Sequence, residues 1–125
     1  MNLVDSSAWL EYFNGGPGAS PFVRTIEQVD TVLVPTIVIL EVTRRVLQQR
    51  GEDAALQVAA ALHQGYVVPL DSALALSAAQ LGVAHKLPLA DSIIYATAQR
   101  YGAVLWTMDA DFAELPGVRY FARPS

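Results

Sequence analysis

Five acidic side chains of this chain have types and positions that suit metal binding and catalysis. They lie beside apolar segments typical of buried strands and helices: Asp5, Glu41, Asp91, Asp109 and Asp111. An acid at the end of a buried strand, as expected for Asp5, costs free energy unless it is paired or binds a cation. Converging carboxylates in a chain without Cys and with only two His suit Mg²⁺ or Mn²⁺. Such an ion activates water and stabilises an in-line displacement at phosphorus.

Four of these acids, all except Asp5, also have an explanation that involves no catalysis. Asp91 has the sequence context of a helix N-cap. Glu41 lies one helical turn before Arg45, so a surface salt bridge would account for both residues. Asp109 and Asp111 are typical turn residues, since Asp bonds to nearby backbone groups. Both kinds of explanation stay open for the individual residues.

The composition excludes several other classes of protein. The 125 residues are 53% hydrophobic and 16% charged, which excludes disorder and favours a well-buried fold or a subunit interface. The absence of Cys excludes disulfide scaffolds, thiolate zinc sites and cysteine nucleophiles. A net charge of −4 excludes a generally basic surface for nucleic acid. Bound divalent cations would offset that charge locally.

The pattern of apolar runs predicts the elements that position the acids. Strands are expected at 2–4, 31–34, 66–70, 103–106 and 118–121, and helices at 8–13, 21–26, 37–50, 52–64, 72–85 and 91–101. Thr36, Asp71 and Asp91 are the expected caps of three of these helices. Apolar strands without alternation, separated by helices, predict a parallel sheet buried on both faces in an α/β sandwich, one domain over residues 1–125.

This topology predicts where the site lies. Ligands of open parallel sheets bind beyond the carboxyl ends of the strands, so acids that follow strands are expected at one edge. Arg44 and Arg45 lie one turn beyond Glu41 on the same helix. They would position a phosphate group or remain ordinary surface residues, and the sequence leaves both open.

Two other classes of protein that use an aspartate after the first strand fit this sequence poorly. A receiver-type phosphoacceptor domain needs a second acid beside the first-strand Asp and a Lys near the last strand. Ser6 and Ser7 follow Asp5, and no Lys follows Lys86. Haloacid-dehalogenase-like phosphatases need a second Asp where Ser7 stands.

Four blocks of the sequence resemble PIN-domain proteins of the VapC toxin type, in the family's order. The blocks are 1–13 (MNLVDSSAWLEYF), 35–41 (PTIVILE), 89–98 (LADSIIYATA) and 107–112 (TMDADF). The resemblance implies a PIN-like three-layer sandwich with a five-stranded parallel sheet flanked by helices. It also implies a magnesium- or manganese-dependent ribonuclease, the toxin component of a toxin–antitoxin pair.

The resemblance also assigns roles to residues. The implied catalytic acids are Asp5, Glu41, Asp91 and Asp109, of which Asp5, Asp91 and Asp109 are the expected metal ligands. Asp111 is the alternative for the last acidic position. Ser6 and Thr107 match the small hydroxyl residues that support such sites.

The implied partners are an RNA substrate, a cognate antitoxin and a second copy of the chain, since family members are usually homodimers. The apolar composition also favours a dimer. The longest uncharged run, 72–85, is shorter than the ~20 apolar residues of a membrane span. A cytoplasmic protein without a membrane segment is therefore expected. The competing hypothesis is a catalytically silent PIN-fold module that only binds protein or RNA.

Overall fold

A parallel β-sheet forms the centre of the protein. The computed structural model describes residues 1–124, so the predicted domain 1–125 extends one residue further, to Ser125, which lies outside the described residues. The strands are β1 (Asn2–Val4), β2 (Val32–Pro35), β3 (Tyr66–Val68), β4 (Val104–Thr107) and β5 (Val118–Tyr120). They pair in the order β3-β2-β1-β4-β5, all parallel. The predicted five-stranded parallel sheet is confirmed.

Pairs of α-helices connect the first four strands. They are α1 (Ser6–Phe13), α2 (Ser20–Glu27), α3 (Thr36–Arg50), α4 (Glu52–Leu62), α5 (Ser72–His85) and α6 (Leu89–Tyr101). Helix α3 packs against α4, and α5 packs against α6. Within residues 1–124, none of these helices has both the length and the apolar character needed to cross a bilayer.

The sheet is buried because its strands carry apolar side chains on both faces. Leu3 and Val4 of β1 are fully buried, as are Val32 and Val34 of β2. Strand β3 lies at one edge of the sheet, as expected from Pro69, which cannot donate a ladder hydrogen bond. Strands β1 and β4 each have a neighbouring strand on both sides. The residues that directly follow them therefore start from a firmly held part of the sheet.

Two predicted helix caps are wrong, and one of them matters for the site. Helix α3 follows Pro35 directly, and Thr36 is its first residue rather than its cap. Helix α6 begins at Leu89 after Pro88, so Asp91 lies in the first turn and does not cap it. In both cases an extended proline directly precedes the helix, and the helix begins without a side-chain cap. Because proline has a fixed φ angle, it can set the start of a helix, which explains both differences from the prediction.

Two other acids do cap helices. Asp5 caps α1, accepting from the backbone N of Ala8 at 3.1 Å, so the helix begins two residues earlier than predicted. Asp71 caps α5 as predicted, accepting from the backbone N of Leu74 at 2.8 Å. Asp71 also forms a salt bridge with Arg100 at 3.2 Å. Its role is structural.

Candidate active site

Asp5 lies at the carboxyl end of the central strand β1 and is only 2% exposed. Its Oδ1 accepts hydrogen bonds from Ser7 Oγ (2.7 Å) and Ala8 N (3.1 Å), and its Oδ2 accepts one from Thr107 Oγ1 (2.8 Å). Burial raises the pKa of Asp5 to about 6, although these hydrogen bonds oppose the shift. The acid is thus held rigidly in an environment that disfavours its charged form.

The segment after β4 supplies two further acids. Thr107 ends β4, and its Oγ1 accepts from the backbone N of Asp109 at 2.8 Å. Asp109 Oδ1 accepts from the backbone N of Asp111 at 2.9 Å and so caps a single turn of 3-10 helix, Ala110–Phe112. Thr107 therefore ties the loop that carries Asp109 to the carboxylate of Asp5.

Asp91 approaches the same place from the first turn of α6. One carboxylate oxygen from each of Asp91, Asp109 and Asp111 lies within 4.8 Å of the others. The pKa of Asp91 is raised to about 8, first by burial, then by the charge and hydrogen bond of Asp109, and then by the charges of Asp5 and Glu41. Together, Asp5, Asp91, Asp109 and Asp111 form what we call the acidic cluster.

Glu41 faces this cluster from α3. Its Oε1 accepts a hydrogen bond of 2.6 Å from Ser6 Oγ. Among residues 1–124 it forms no salt bridge with Arg45, so that explanation of the pair is not supported. Ser6, Glu41, Arg44 and Arg45 instead line one cleft of about 470 Å³, which we call the α3 cleft.

The structure therefore brings together the residues singled out from the sequence, with one difference in grouping. The 4.8 Å group contains Asp91, Asp109 and Asp111, whereas Asp5 lies outside it in the part of the chain described. Asp5 still interacts with Asp91 and Asp109, since each pair of charges raises a pKa.

Sequence reasoning missed a second cleft next to the cluster. It measures about 520 Å³, and its polar lining residues are Ser7, Asp109, Tyr120 and Arg123. We call it the β5 cleft. The signal available in the sequence was that Tyr120 and Arg123 come at the end of the last predicted strand, where site residues of a parallel sheet are expected.

The donor set of the cluster fits a hard divalent cation. Carboxylate oxygens are the ligands that Mg²⁺ and Mn²⁺ prefer, whereas softer metals prefer thiolate or imidazole. Burial is the main reason that the pKa of Asp91 is raised, and repulsion between these neighbouring carboxylates raises it further. A bound cation would remove that repulsion and favour the ionised acids.

Comparison with known proteins identifies the family. The PIN domain family matches residues 3–118, and the chain belongs to this family. The predicted resemblance to PIN-domain proteins is therefore confirmed. No curated protein matches the sequence significantly.

Solved structures share the fold at low sequence identity. A toxin–antitoxin complex from Klebsiella pneumoniae superposes with a TM-score of 0.85 at 24% identity, covering 98% of this chain and 100% of that one. VapC20 from Mycobacterium tuberculosis, described as a Sarcin-Ricin loop cleaving toxin, gives 0.78 at 21% identity over 93% and 95% of the two chains. VapBC2 from Rickettsia felis, bound to a DNA fragment from its promoter, gives 0.74 at 14% identity over 97% of each chain. These likenesses establish the PIN-like α/β fold.

Proposed function

We propose that this protein is a metal-dependent endoribonuclease of the VapC toxin type. The observation that carries the proposal is the convergence of Asp91, Asp109 and Asp111 within 4.8 Å beside the buried Asp5. An acidic group of this kind, in a PIN-domain chain with Arg residues beside it, suits a phosphodiester substrate. The raised pKa values of Asp5 and Asp91 support the proposal, because buried acids with raised pKa values do not stabilise a fold and are typical of functional sites.

The residues divide into ligands and supporting groups. Asp5, Asp91 and Asp109 hold the ion, and Asp111 is available as a further ligand. Glu41 acts as an additional ligand or as a base through a water molecule. A divalent cation bound there lowers the pKa of water and offsets the charge that develops on the phosphate.

Two hydroxyl residues orient the acids. Thr107 donates to Asp5, and Ser6 donates to Glu41, so each holds one carboxylate in a single orientation. Such supporting hydrogen bonds fix the direction of the free lone pairs toward a ligand. Arg44 and Arg45, in the α3 cleft beside Glu41, bind phosphate groups of the substrate.

The structural relatives support a role in a toxin–antitoxin pair. Several are toxin–antitoxin complexes, and one is described as a Sarcin-Ricin loop cleaving toxin. We therefore propose that the protein binds a cognate antitoxin and acts on an RNA substrate in the cytoplasm. We also propose that residues 1–125 form one PIN-like domain and that the protein is a homodimer. Sedimentation of the purified protein at micromolar concentration tests the dimer, and a monomer there would contradict it.

Cleavage of total RNA by purified protein tests the activity. The reaction is run with Mg²⁺ or Mn²⁺, with EDTA, and with an Asp5→Asn variant, and any copurified antitoxin is removed first. Asp30→Asn is the matched control, because Asp30 is exposed and precedes β2. It therefore lies at the amino ends of the strands, whereas the acidic cluster lies at their carboxyl ends. Cleavage that is lost in EDTA and in Asp5→Asn, but kept in Asp30→Asn, supports the proposal. No cleavage with either metal favours a silent binding module.

A further inference from the structure

The β5 cleft adjoins the acidic cluster, because Asp109 belongs to both. Its other polar lining groups are Ser7, Tyr120 and Arg123. The proposed catalytic roles leave Tyr120 and Arg123 without a function. A cleft of about 520 Å³ that opens beside candidate metal ligands is placed to receive part of a substrate.

The pairing of β5 explains why Tyr120 and Arg123 reach this place. Tyr120 pairs in register with Thr107, and the backbone N of Phe121 donates to Thr107 O at 2.9 Å. The chain after β5 therefore leaves the sheet at the same carboxyl edge as Asp109. Arg123 follows within three residues and lines the cleft.

The α3 cleft lies on the other side of Asp5. Ser6 lines the α3 cleft, while the adjacent Ser7 lines the β5 cleft, so the two clefts meet at the start of α1. The strand order places β2, which leads into α3, three strand intervals from β5. At roughly 4.8 Å per interval, the two strands are about 14 Å apart. The acidic cluster thus has an Arg-bearing cleft on each side.

The arginines of both clefts are free to bind anions. Arg44, Arg45 and Arg123 are exposed, and the one salt bridge within residues 1–124 is the Arg100–Asp71 pair. A guanidinium group binds phosphate oxygens through two parallel hydrogen bonds. A tyrosine ring such as that of Tyr120 offers a face on which a nucleobase stacks.

We propose that a single strand of RNA crosses the acidic cluster from one cleft to the other. Arg44 and Arg45 bind the phosphates on one side of the scissile bond, and Arg123 and Tyr120 hold the nucleotide on the other side. The proposal rests on the proposed ribonuclease function and adds how its substrate is aligned. Arg123 and Tyr120 are positioning residues in this scheme.

RNA binding tests the role of Arg123 without cleavage. The probe is a fluorescein-labelled oligouridylate, titrated at several salt concentrations against variants made in the inactive Asp5→Asn background. Arg123→Ala is compared with Arg119→Ala, which removes the same charge from a side chain lying 5.1 Å from the Trp106 ring centroid. We expect Arg123→Ala alone to weaken binding roughly tenfold and to lower the salt slope by about 0.7. Equal affinities of the two variants, including no binding by either, overturn the proposal.

The stacking role of Tyr120 has its own comparison. Tyr120→Phe keeps an aromatic face and should bind the oligouridylate like the parent, while Tyr120→Leu should bind roughly tenfold more weakly. Thermal melting of both variants accompanies the titrations, because Tyr120 is half-buried and pairs with β4. Equal binding by two folded variants removes Tyr120 from the scheme.

Cleavage of shortened substrates tests the two-sided path. Oligoribonucleotides around a mapped cleavage site are trimmed from one end or the other. Arg123→Ala should slow cleavage only while nucleotides on its side are present, and Arg45→Ala only while those on the opposite side are present. If both variants slow cleavage only while nucleotides on the same side of the cleavage site are present, the proposal is overturned. If the unmodified protein cleaves no RNA, the proposed function fails, while the binding comparison still decides this inference.

Discussion

The Oγ1 of Thr107 donates a hydrogen bond of 2.8 Å to Oδ2 of Asp5, although 102 positions separate the two residues in the chain. The same Oγ1 accepts from the backbone N of Asp109 at 2.8 Å. One buried hydroxyl thus connects the carboxyl ends of the adjacent strands β1 and β4. It fixes both the orientation of one candidate ligand and the path of the loop that carries another.

Replacing this hydroxyl should weaken metal binding. We expect Thr107→Val to lower the affinity for Mn²⁺ by about 10- to 100-fold, because the carboxylate of Asp5 loses a donor that orients it. The unfolding free energy should fall by about 1–3 kcal/mol, since Asp109 N loses its acceptor. Calorimetric titration and urea unfolding measure the two effects.

Thr97→Val is the matched control for that experiment. Thr97 is also fully buried, but its Oγ1 donates to the carbonyl of Ile93 at 2.8 Å within α6. This variant should keep the Mn²⁺ affinity of the parent protein. If both variants bind Mn²⁺ equally well, Thr107 has no special role at the site.

The stability of the metal-free protein should fall as the pH rises. Burial raises the pKa of Asp5 to about 6 and that of Asp91 to about 8, so the folded chain retains protons that the unfolded chain releases above about 3.8. Folding is therefore increasingly opposed from about pH 4 upward, and the effect is complete only above about pH 8, where both groups are ionised. Melting temperatures measured in EDTA from about pH 5 to pH 8 should decrease.

A cation should reverse much of this pH effect. Saturating Mg²⁺ binds the ionised carboxylates and should stabilise the protein most at the alkaline end. Asp91→Asn should flatten the curve in EDTA, because it removes the group with the largest shift. A metal-free protein that becomes more stable toward pH 8 would contradict the structure's account of these acids.

Much of the fold followed from sequence because its signals are local. The apolar strand 2–4 followed directly by Asp5, and the helix that ends before Gly102, depend on neighbouring residues alone. The start of α6 was predicted wrongly although its signal is also local, because Pro88 and not Asp91 precedes the first helical residue. That difference frees the Asp91 side chain from capping and lets it join the cluster.

The parts of the site that the sequence concealed depend on pairing between distant segments. The β5 cleft exists because Tyr120 pairs with Thr107. No local pattern in the sequence predicts that register, so the sequence did not single out Arg123. The bond between Ser6 and Glu41 likewise joins α1 to α3 across 35 positions.

The two acids after β4 should contribute unequally. We expect Asp109→Asn to lower Mn²⁺ affinity on the order of 100-fold and Asp111→Asn about tenfold. Asp109 is half-buried and interacts directly with Asp91, whereas Asp111 is exposed. Asparagine keeps the Oδ1 acceptor that caps the turn after Asp109, so the loop should persist. Calorimetric titration with Asp30→Asn as control measures this, and the opposite ranking would make Asp111 the principal ligand.

The loop after α1 should depend on the carboxylate of Glu11. Its Oε2 accepts from the backbone N of Gly18 at 2.7 Å, and a Cβ at Gly18 would lie 2.6 Å from the same oxygen. We expect Gly18→Ala to lower the unfolding free energy by about 1–3 kcal/mol. In the Glu11→Ala background the same change should cost less, because one of the two obstructing side chains is gone while Met108 Cε, also 2.6 Å from that Cβ, remains. Urea unfolding of the four proteins measures the coupling, and strict additivity would contradict it.

The most direct test of the central claim is the chemistry of the cut ends. One end-labelled RNA that the protein cleaves is incubated with Mg²⁺ or Mn²⁺ in heavy-oxygen water, and the new terminal phosphate is analysed by mass spectrometry. If the acidic cluster directs water to phosphorus, the phosphate carries one heavy oxygen, and both EDTA and Asp5→Asn abolish the product. A 2′,3′-cyclic phosphate would show that the RNA's own 2′-hydroxyl attacks instead of water, and cleavage that persists in EDTA would show that a metal-loaded acidic cluster is not the catalytic centre; either result would contradict the account.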